Sequence, residues 1–355
     1  MGSNEDESVL PGSREREYAV NTIDFTAGAN PLGPSNKAKH EMRKLARGVD
    51  VLPFDPVRPL RRYLCRKEGI EENNIIFGNG STHIFDALFQ SLQPRTILIP
   101  APVSPRHDRI LREHGVEEKH VGLDPDDDYS LNVSKFIDVV RNSDAVILAN
   151  PHDVTGSVIP PDDLAAIIDE AERCATTLII DEAYLEFTGA VSPVRQAVGS
   201  SRTLIVRTFS TFYGLAGLRV GYAIGPASLL AVLSPHCRPY HANLLGPRAA
   251  IASLKDKGFR KRTLLFIEGE KAYVRNKLAG IPGAKCHVSP SNMLVVKLQG
   301  QHRAARESFL KYHILIDEFV DEEGSSCIRF PVGTRKSNAR FVRILKRIME
   351  ARNHG

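Results

Sequence analysis

From about residue 75 onward the chain repeats one pattern, a short and wholly apolar run followed by a stretch of helical periodicity. The runs 75–77, 96–100, 145–149, 177–181, 203–208 and 220–224 show almost no polar alternation. A strand with one face in water would alternate, so these strands are expected to be buried on both faces of a mostly parallel sheet. Helical periods fit 82–93, 105–114, 161–174 and 243–255, each opening near a Ser, Thr, Asp, Asn or Pro suited to a helix start. The alternation of the two element types predicts an α/β layer fold.

After about residue 260 the order changes to helix, strand (293–298), helix, strand (314–319), strand (326–331), helix, which reads as a smaller α+β domain. The expected organisation is a flexible arm at 1–17, a segment at 18–50 whose helix (36–46) packs on the small domain, a large domain at 51–258 and a small one at 259–355. A chain of 355 residues, 42% hydrophobic and 25% charged, is long enough to bury cores of that size. No apolar run approaches the ~18 residues of a membrane-spanning helix, so no membrane partner is expected. Cys65, Cys174, Cys237, Cys286 and Cys327 are odd in number and never spaced as CxxC. They read as reduced thiols of a cytoplasmic protein, with neither a disulfide frame nor a metal site. The formal charge of +5 is spread along the chain, a poor footprint for nucleic acid.

Four segments carry candidate chemistry. Gly78-Asn79-Gly80-Ser81-Thr82 sits between a strand and a helix, where exposed amides and two hydroxyls suit a phosphate, although an ordinary capped turn reads the same way. Asp181-Glu182-Ala183-Tyr184 ends a buried strand, the place where open α/β sheets bind ligands. The stretch 207–222 packs Thr208, Ser210, Thr211, three glycines and Arg219 between two strands. Arg329, in the last strand, offers a planar fork that suits a carboxylate; an exposed arginine on an edge strand is the plainer alternative.

In this order the segments resemble the fold-type I pyridoxal-phosphate enzymes of aminotransferase class I/II, in the branch of the histidinol-phosphate aminotransferases and threonine-phosphate decarboxylases. The stretch 24–34 looks most like the decarboxylases, and the resemblance covers about residues 22–350. It implies a large domain with a mostly parallel, seven-stranded-type sheet, a homodimer and an amino-acid-type substrate. It further implies that Gly80, Ser81, Thr82, Thr208, Ser210 and Arg219 surround the cofactor phosphate. Asp181 would pair with the ring nitrogen, Tyr184 would face the phenolic oxygen, and Arg329 would grip a substrate carboxylate with Asn30 nearby.

Four positions depart from the family pattern. The lysine that bonds covalently to the cofactor falls at Thr211, whose hydroxyl forms no imine and is a feeble base. The asparagine that donates to the phenolic oxygen is Asp153, an acceptor only when ionised. The aromatic that stacks on the ring falls at Ser104, and the partner subunit's phosphate-binding tyrosine at Phe54. One missing lysine is what a trapping mutation leaves; four changes read as natural drift or repurposing. His83 and His152 are the candidate substitute bases, with less signal at His107, His236 and His241.

The expected function is therefore altered, lysine-independent chemistry with pyridoxal phosphate or pyridoxamine phosphate bound non-covalently. A catalytically dead homologue that binds a ligand or partner is one alternative. An ordinary aminotransferase or decarboxylase with an engineered Thr211 is the other.

Overall fold

The computed structural model describes residues 22–51, 53–238, 242–299, 305–321 and 323–353. The arm expected at 1–17 and His241 lie outside them. In chain order the elements begin with β1 (Ile23–Asp24), α1 (Asn36–Leu45), α2 (Arg58–Glu68), β2 (Ile75–Asn79), α3 (Gly80–Leu92), β3 (Thr96–Ala101), α4 (Pro105–Glu113), β4 (Glu117–Asp124) and β5 (Ser130–Leu131). Then come α5 (Val133–Val140), β6 (Ala145–Ala149), α6 (Pro161–Arg173), β7 (Thr177–Asp181), α7 (Val194–Gly199), β8 (Thr203–Thr208), β9 (Val220–Ile224), α8 (Ala227–Leu233) and α9 (Leu245–Leu254). The long α10 (Lys257–Leu278) leads into β10 (Ala284–Val288), β11 (Met293–Leu298), α11 (Ala305–Leu310), β12 (Ile314–Leu315), β13 (Asp317–Val320), β14 (Ser326–Pro331) and α12 (Arg335–Asn353).

The large sheet runs β2-β9-β8-β7-β6-β3-β4-β5. Its centre is parallel, and β9 runs against both β2 and β8. The sheet has eight strands because the short β5 turns back antiparallel on β4, adding one to the seven-stranded type. The apolar runs of β6, β7, β8 and β9 are buried throughout, as their lack of alternation requires. The sequence reading omitted β4, whose EEKHVGLD has one buried residue, because a strand flanked outward only by the two-residue β5 carries no apolar run.

The second sheet, β10-β11-β14-β13, is antiparallel throughout. The single strand expected at 314–319 is two. Ile314 and Leu315 pair with β1, while Asp317–Val320 pairs with β14, so the chain changes partners at Ile316. The 18–50 segment also divides. Its β1 joins β12 in the C-terminal part, whereas α1 lies against α9. Among the described residues no helix is long and apolar enough to cross a membrane.

Strand direction places the site. The carboxyl ends of β2, β3, β6, β7 and β8 and the start of β9 all reach one edge of the large sheet. From β3 the chain crosses outward to β4 and then returns to β6 on the other side, so β3 and β6 flank a topological switch point. The loop after β3 and the first turn of α4 hold Ser104 to His107, and the loop after β6 holds Asn150 to Asp153.

Candidate active site

At one end of this edge, β2 delivers the backbone into α3 through Gly80, at φ +81°, where a Cβ would collide with the Arg219 guanidinium. The capping position, Asn79, makes no side-chain bond to the helix, so the first-turn amides have no side-chain acceptor there. Its own N–H donates to His83 Nδ1 at 3.1 Å, which ties His83 to the helix start. Arg219, half-buried and left-handed at φ 49°, has only 3.5 Å contacts to the Asn79 and Ala216 carbonyls. It makes no ion pair among the described residues. The hydroxyls of Thr208 and Ser210 lie 3.0 Å apart beside it, where β8 ends. Amides at a helix start, hydroxyls and an unpaired guanidinium form a cup suited to a phosphate.

Arg106 leads from the cup to the other end. Its Nη1 donates to Ser81 Oγ at 3.3 Å, and its Nη2 pairs with Asp181 Oδ2. Asp181 closes β7 and is buried; its second oxygen accepts the Ala183 N–H at 3.0 Å. His107 stands between two carboxylates, with Nε2 3.0 Å from Asp181 and Nδ1 3.3 Å from Asp153. Burial alone would raise the Asp181 carboxyl, but Arg106 and His107 hold it below the usual range. Asp153 is also buried, yet His107, His152 and Arg106 drive it well below that range. Ser104 caps α4, accepting the His107 N–H at 3.3 Å.

The remaining groups lie on the small-domain side. Arg329, buried in β14, donates from Nε to the Asp153 carbonyl (2.7 Å), from Nη1 to the Thr26 carbonyl (2.9 Å) and Asp317 (3.2 Å), and from Nη2 to Tyr184 Oη (3.1 Å). Burial pushes the Tyr184 phenol upward, against the pull of Arg329. Gly28 lets the N-terminal segment close over this pair, since a Cβ there would stand 2.6 Å from Tyr184 Oη.

Thr211 is buried and its hydroxyl donates to the Ala183 carbonyl. Asn30 meets it through the backbone, donating its N–H to the Thr211 carbonyl at 2.9 Å. The Asn30 side chain is committed elsewhere, to the Phe212 carbonyl, Thr263 and the Leu32 N–H. Lys271, the one buried lysine among the described residues, is bound by Glu268 and the carbonyls of Ser289 and Ser291. His152 closes its own loop: Nδ1 accepts the Thr155 N–H at 3.2 Å, and burial pushes its pKa down to about 4. Phe54 is 86% exposed, and His236 lies in the turn after α8, its N–H donating to the Leu233 carbonyl.

The structure thus adds Arg106 and His107, the first unremarked in the sequence and the second given little weight. Their signal was positional, the opening turn of a helix directly after a strand at the switch point.

The aminotransferase class I and II pattern matches residues 20–345. A histidinol-phosphate aminotransferase of Thermoanaerobacter sp. (strain X514) is 30% identical over 346 residues, covering 94% of this chain and 96% of the relative. The crystal structure of histidinol-phosphate aminotransferase from Sinorhizobium meliloti in complex with pyridoxal-5'-phosphate superimposes with a TM-score of 0.87 at 21% identity, covering 99% of each chain. The L-threonine-O-3-phosphate decarboxylase of Porphyromonas gingivalis gives 0.77 at 20% identity, over 92% of this chain and 99% of that one.

Proposed function

The chain belongs to the aminotransferase class I and II family, and on that premise we propose that it is a pyridoxal-phosphate-dependent enzyme of aminotransferase or decarboxylase type. Its substrate is of amino-acid type or the corresponding phosphate ester, and the cofactor or its amine form binds without a covalent bond to position 211. The observation that carries this reading is the pairing of an unoccupied charge with a matched one. Among the described residues Arg219 has no carboxylate, beside helix amides without a capping side chain, while Asp181 is ionised and buried farther along the same sheet edge.

The residues present fit that cofactor. Gly80, Ser81, Thr82, Thr208, Ser210 and Arg219 would hold its phosphate, and Asp181 would hold the protonated ring nitrogen. Arg106 already bridges these two positions with a planar cation, the group that a ring would displace. When bound, the cofactor supplies an electron sink for breaking a bond at the substrate carbon that bears the amine. Tyr184, kept protonated by burial, would donate to the phenolic oxygen. Asp153, when ionised, cannot donate there. Thr211 holds no proton-accepting nitrogen, so proton movement at the substrate carbon falls to another group.

The protein works as a homodimer in which the segment around Phe54 covers the neighbouring site. Val49, Val51 and Phe54 are all well exposed on that short stretch, an apolar patch that a second copy would cover. A clean monomer by light scattering at micromolar concentration argues against the shared site.

A second reading is a ligand-binding homologue without turnover, favoured by the internal partners that Asp181 and Arg329 already possess. One experiment separates the two. The native protein, incubated with pyridoxal phosphate, dialysed and reduced with borohydride, should bind the cofactor reversibly and carry no phosphopyridoxyl-lysine peptide. Thr211→Lys should produce that peptide at residue 211. A lysine adduct in the native protein refutes non-covalent binding, and absence of any saturable binding leaves only the second reading or neither.

A further inference from the structure

The connection from β6 to α6 folds back on itself. The His152 N–H donates to the Ser157 carbonyl at 2.8 Å, the Gly156 N–H returns to the His152 carbonyl at 2.8 Å, and Asn150 Oδ1 accepts the Ile159 N–H at 3.0 Å. The closed turn has two sides. One carries Asp153 toward His107 and Arg329, inside the site already described. The other carries His152, Ser157, Val158 and Ile159, which wall a separate cavity of about 310 Å³, within the range of small-ligand pockets.

That cavity lies against the carboxyl ends of β3 and β6, at Pro100, Leu148 and Ala149. It therefore shares the topological switch point with the cofactor site, yet its lining includes none of the phosphate cup, Asp181, Tyr184 or Arg329. Its floor is apolar: Leu123 and Leu148 are buried, with Leu131 and Ile159 half-buried beside them. Its rim is acidic. Asp127 is exposed and Asp163 half-buried, and neither has an ion pair among the described residues; the Asp127 carboxylate accepts the Ser130 hydroxyl. No lysine or arginine lines the cavity. His152 adds no positive charge at neutral pH, because burial pushes its pKa down to about 4. Its Nδ1 accepts the Thr155 N–H and its ring is also bonded to the Pro100 carbonyl, so the wall is fixed before any ligand arrives.

An apolar floor under an uncompensated acidic rim selects by charge. An anion would meet two carboxylates and no cation, and a neutral molecule would gain only the floor. An organic cation with a compact apolar body would gain both.

We propose that this cavity is a second ligand site, distinct from the cofactor site, for a small arylalkyl ammonium ion whose ring covers Leu123 and Leu148 and whose nitrogen donates to Asp163 and Asp127. Its occupation requires nothing of the cofactor.

Three molecules of similar length and different charge test it: N-methyl-2-phenylethylamine, 2-phenylethanol and 3-phenylpropionate. Calorimetric titration of the native protein at neutral pH should rank the cation first, about tenfold tighter than either comparator, the scale of one charge-assisted hydrogen bond. Asp163→Asn should weaken the cation by about fivefold or more and leave the alcohol within about twofold. Val158→Phe, which fills the cavity from a half-buried loop position, should abolish cation binding with the urea midpoint close to native. Saturating pyridoxamine phosphate, which has no aldehyde to react with an amine, should leave the cation's affinity unchanged. A comparator that binds as tightly as the cation overturns the proposal, as does the absence of saturable cation binding up to about 10 mM. Displacement of the cation by pyridoxamine phosphate, or full cation affinity in folded Val158→Phe, overturns it too. The ranking on the native protein decides if neither variant folds, and it does so whether or not the cofactor binds.

Discussion

At the cup, Arg219 is half-buried without a carboxylate and the α3 amides have no capping side chain. Some residues away along the same sheet edge, Asp181 is engaged by Arg106, His107 and the Ala183 amide, and Arg329 by Asp317, Tyr184 and two carbonyls. The first region leaves charge unanswered near solvent, where water screens it and the cost is small. The second is buried, where an unpaired charge would cost several kcal/mol, so each group has acquired an internal partner. The difference teaches that substitutions should separate the regions: changes at the paired end should cost stability, and changes at the cup should cost binding.

The sharpest contrast is Asp181→Ala. It strands Arg106 and His107 beside a cavity, and breaking a buried pair from one side typically costs about 3–5 kcal/mol. Urea unfolding should show that loss, and a variant as stable as the native protein would mean that the ring end is not held by these pairs.

His152 tests the same region through pH. Its folded pKa of about 4 lies below the ordinary 6.5, so it contributes stability that is fully present above pH 6.5 and is lost as pH falls toward 4. The 2.5-unit gap corresponds to roughly 3 kcal/mol across that window. His152→Gln should flatten the native decline in unfolding free energy between those limits. Equal slopes in the two proteins would place the imidazole in water.

Arg219→Ala is the counterpart at the cup. Removing one charge-assisted contact should weaken pyridoxal phosphate and inorganic phosphate alike by about 1.5–3 kcal/mol, tenfold or more, with little change in urea midpoint. Unchanged affinity for both would remove Arg219 from the cup.

The smallest effect is expected where the two regions meet. Arg106→Met removes the cation that competes with a ring for Asp181, so affinity for pyridoxal phosphate should rise by a few-fold, about 1 kcal/mol, relative to inorganic phosphate. A fall in that ratio would make Arg106 a ligand of the cofactor rather than its competitor.

Much of the cup could be read directly from the chain because its parts are local. Gly80, Ser81 and Thr82 are consecutive, and Thr208, Ser210 and Arg219 lie within one strand-to-strand connection. Asp181 was legible for a similar reason, as a carboxylate ending a run too apolar to be anything but a central strand. Arg106 and His107 were not, because their meaning lies in a contact with a residue some 75 positions away. His83 and His152 drew attention through proximity in sequence, yet the Nδ1 of each accepts a neighbouring backbone N–H.

The amino-acid sequence by itself determined the layer architecture, since runs without polar alternation can satisfy burial only between two helical layers, and it displayed the two local segments, around Gly80 and around Arg219, that the fold brings together. Tertiary structure alone decided which charges neutralise one another. Whether Asp181 meets Arg106, and whether Arg329 meets Asp317 or remains open, depends on strand order and register. In a buried cleft a displacement of a few ångströms converts a stabilising pair into a stranded charge, and that distance is written in no local stretch of the chain.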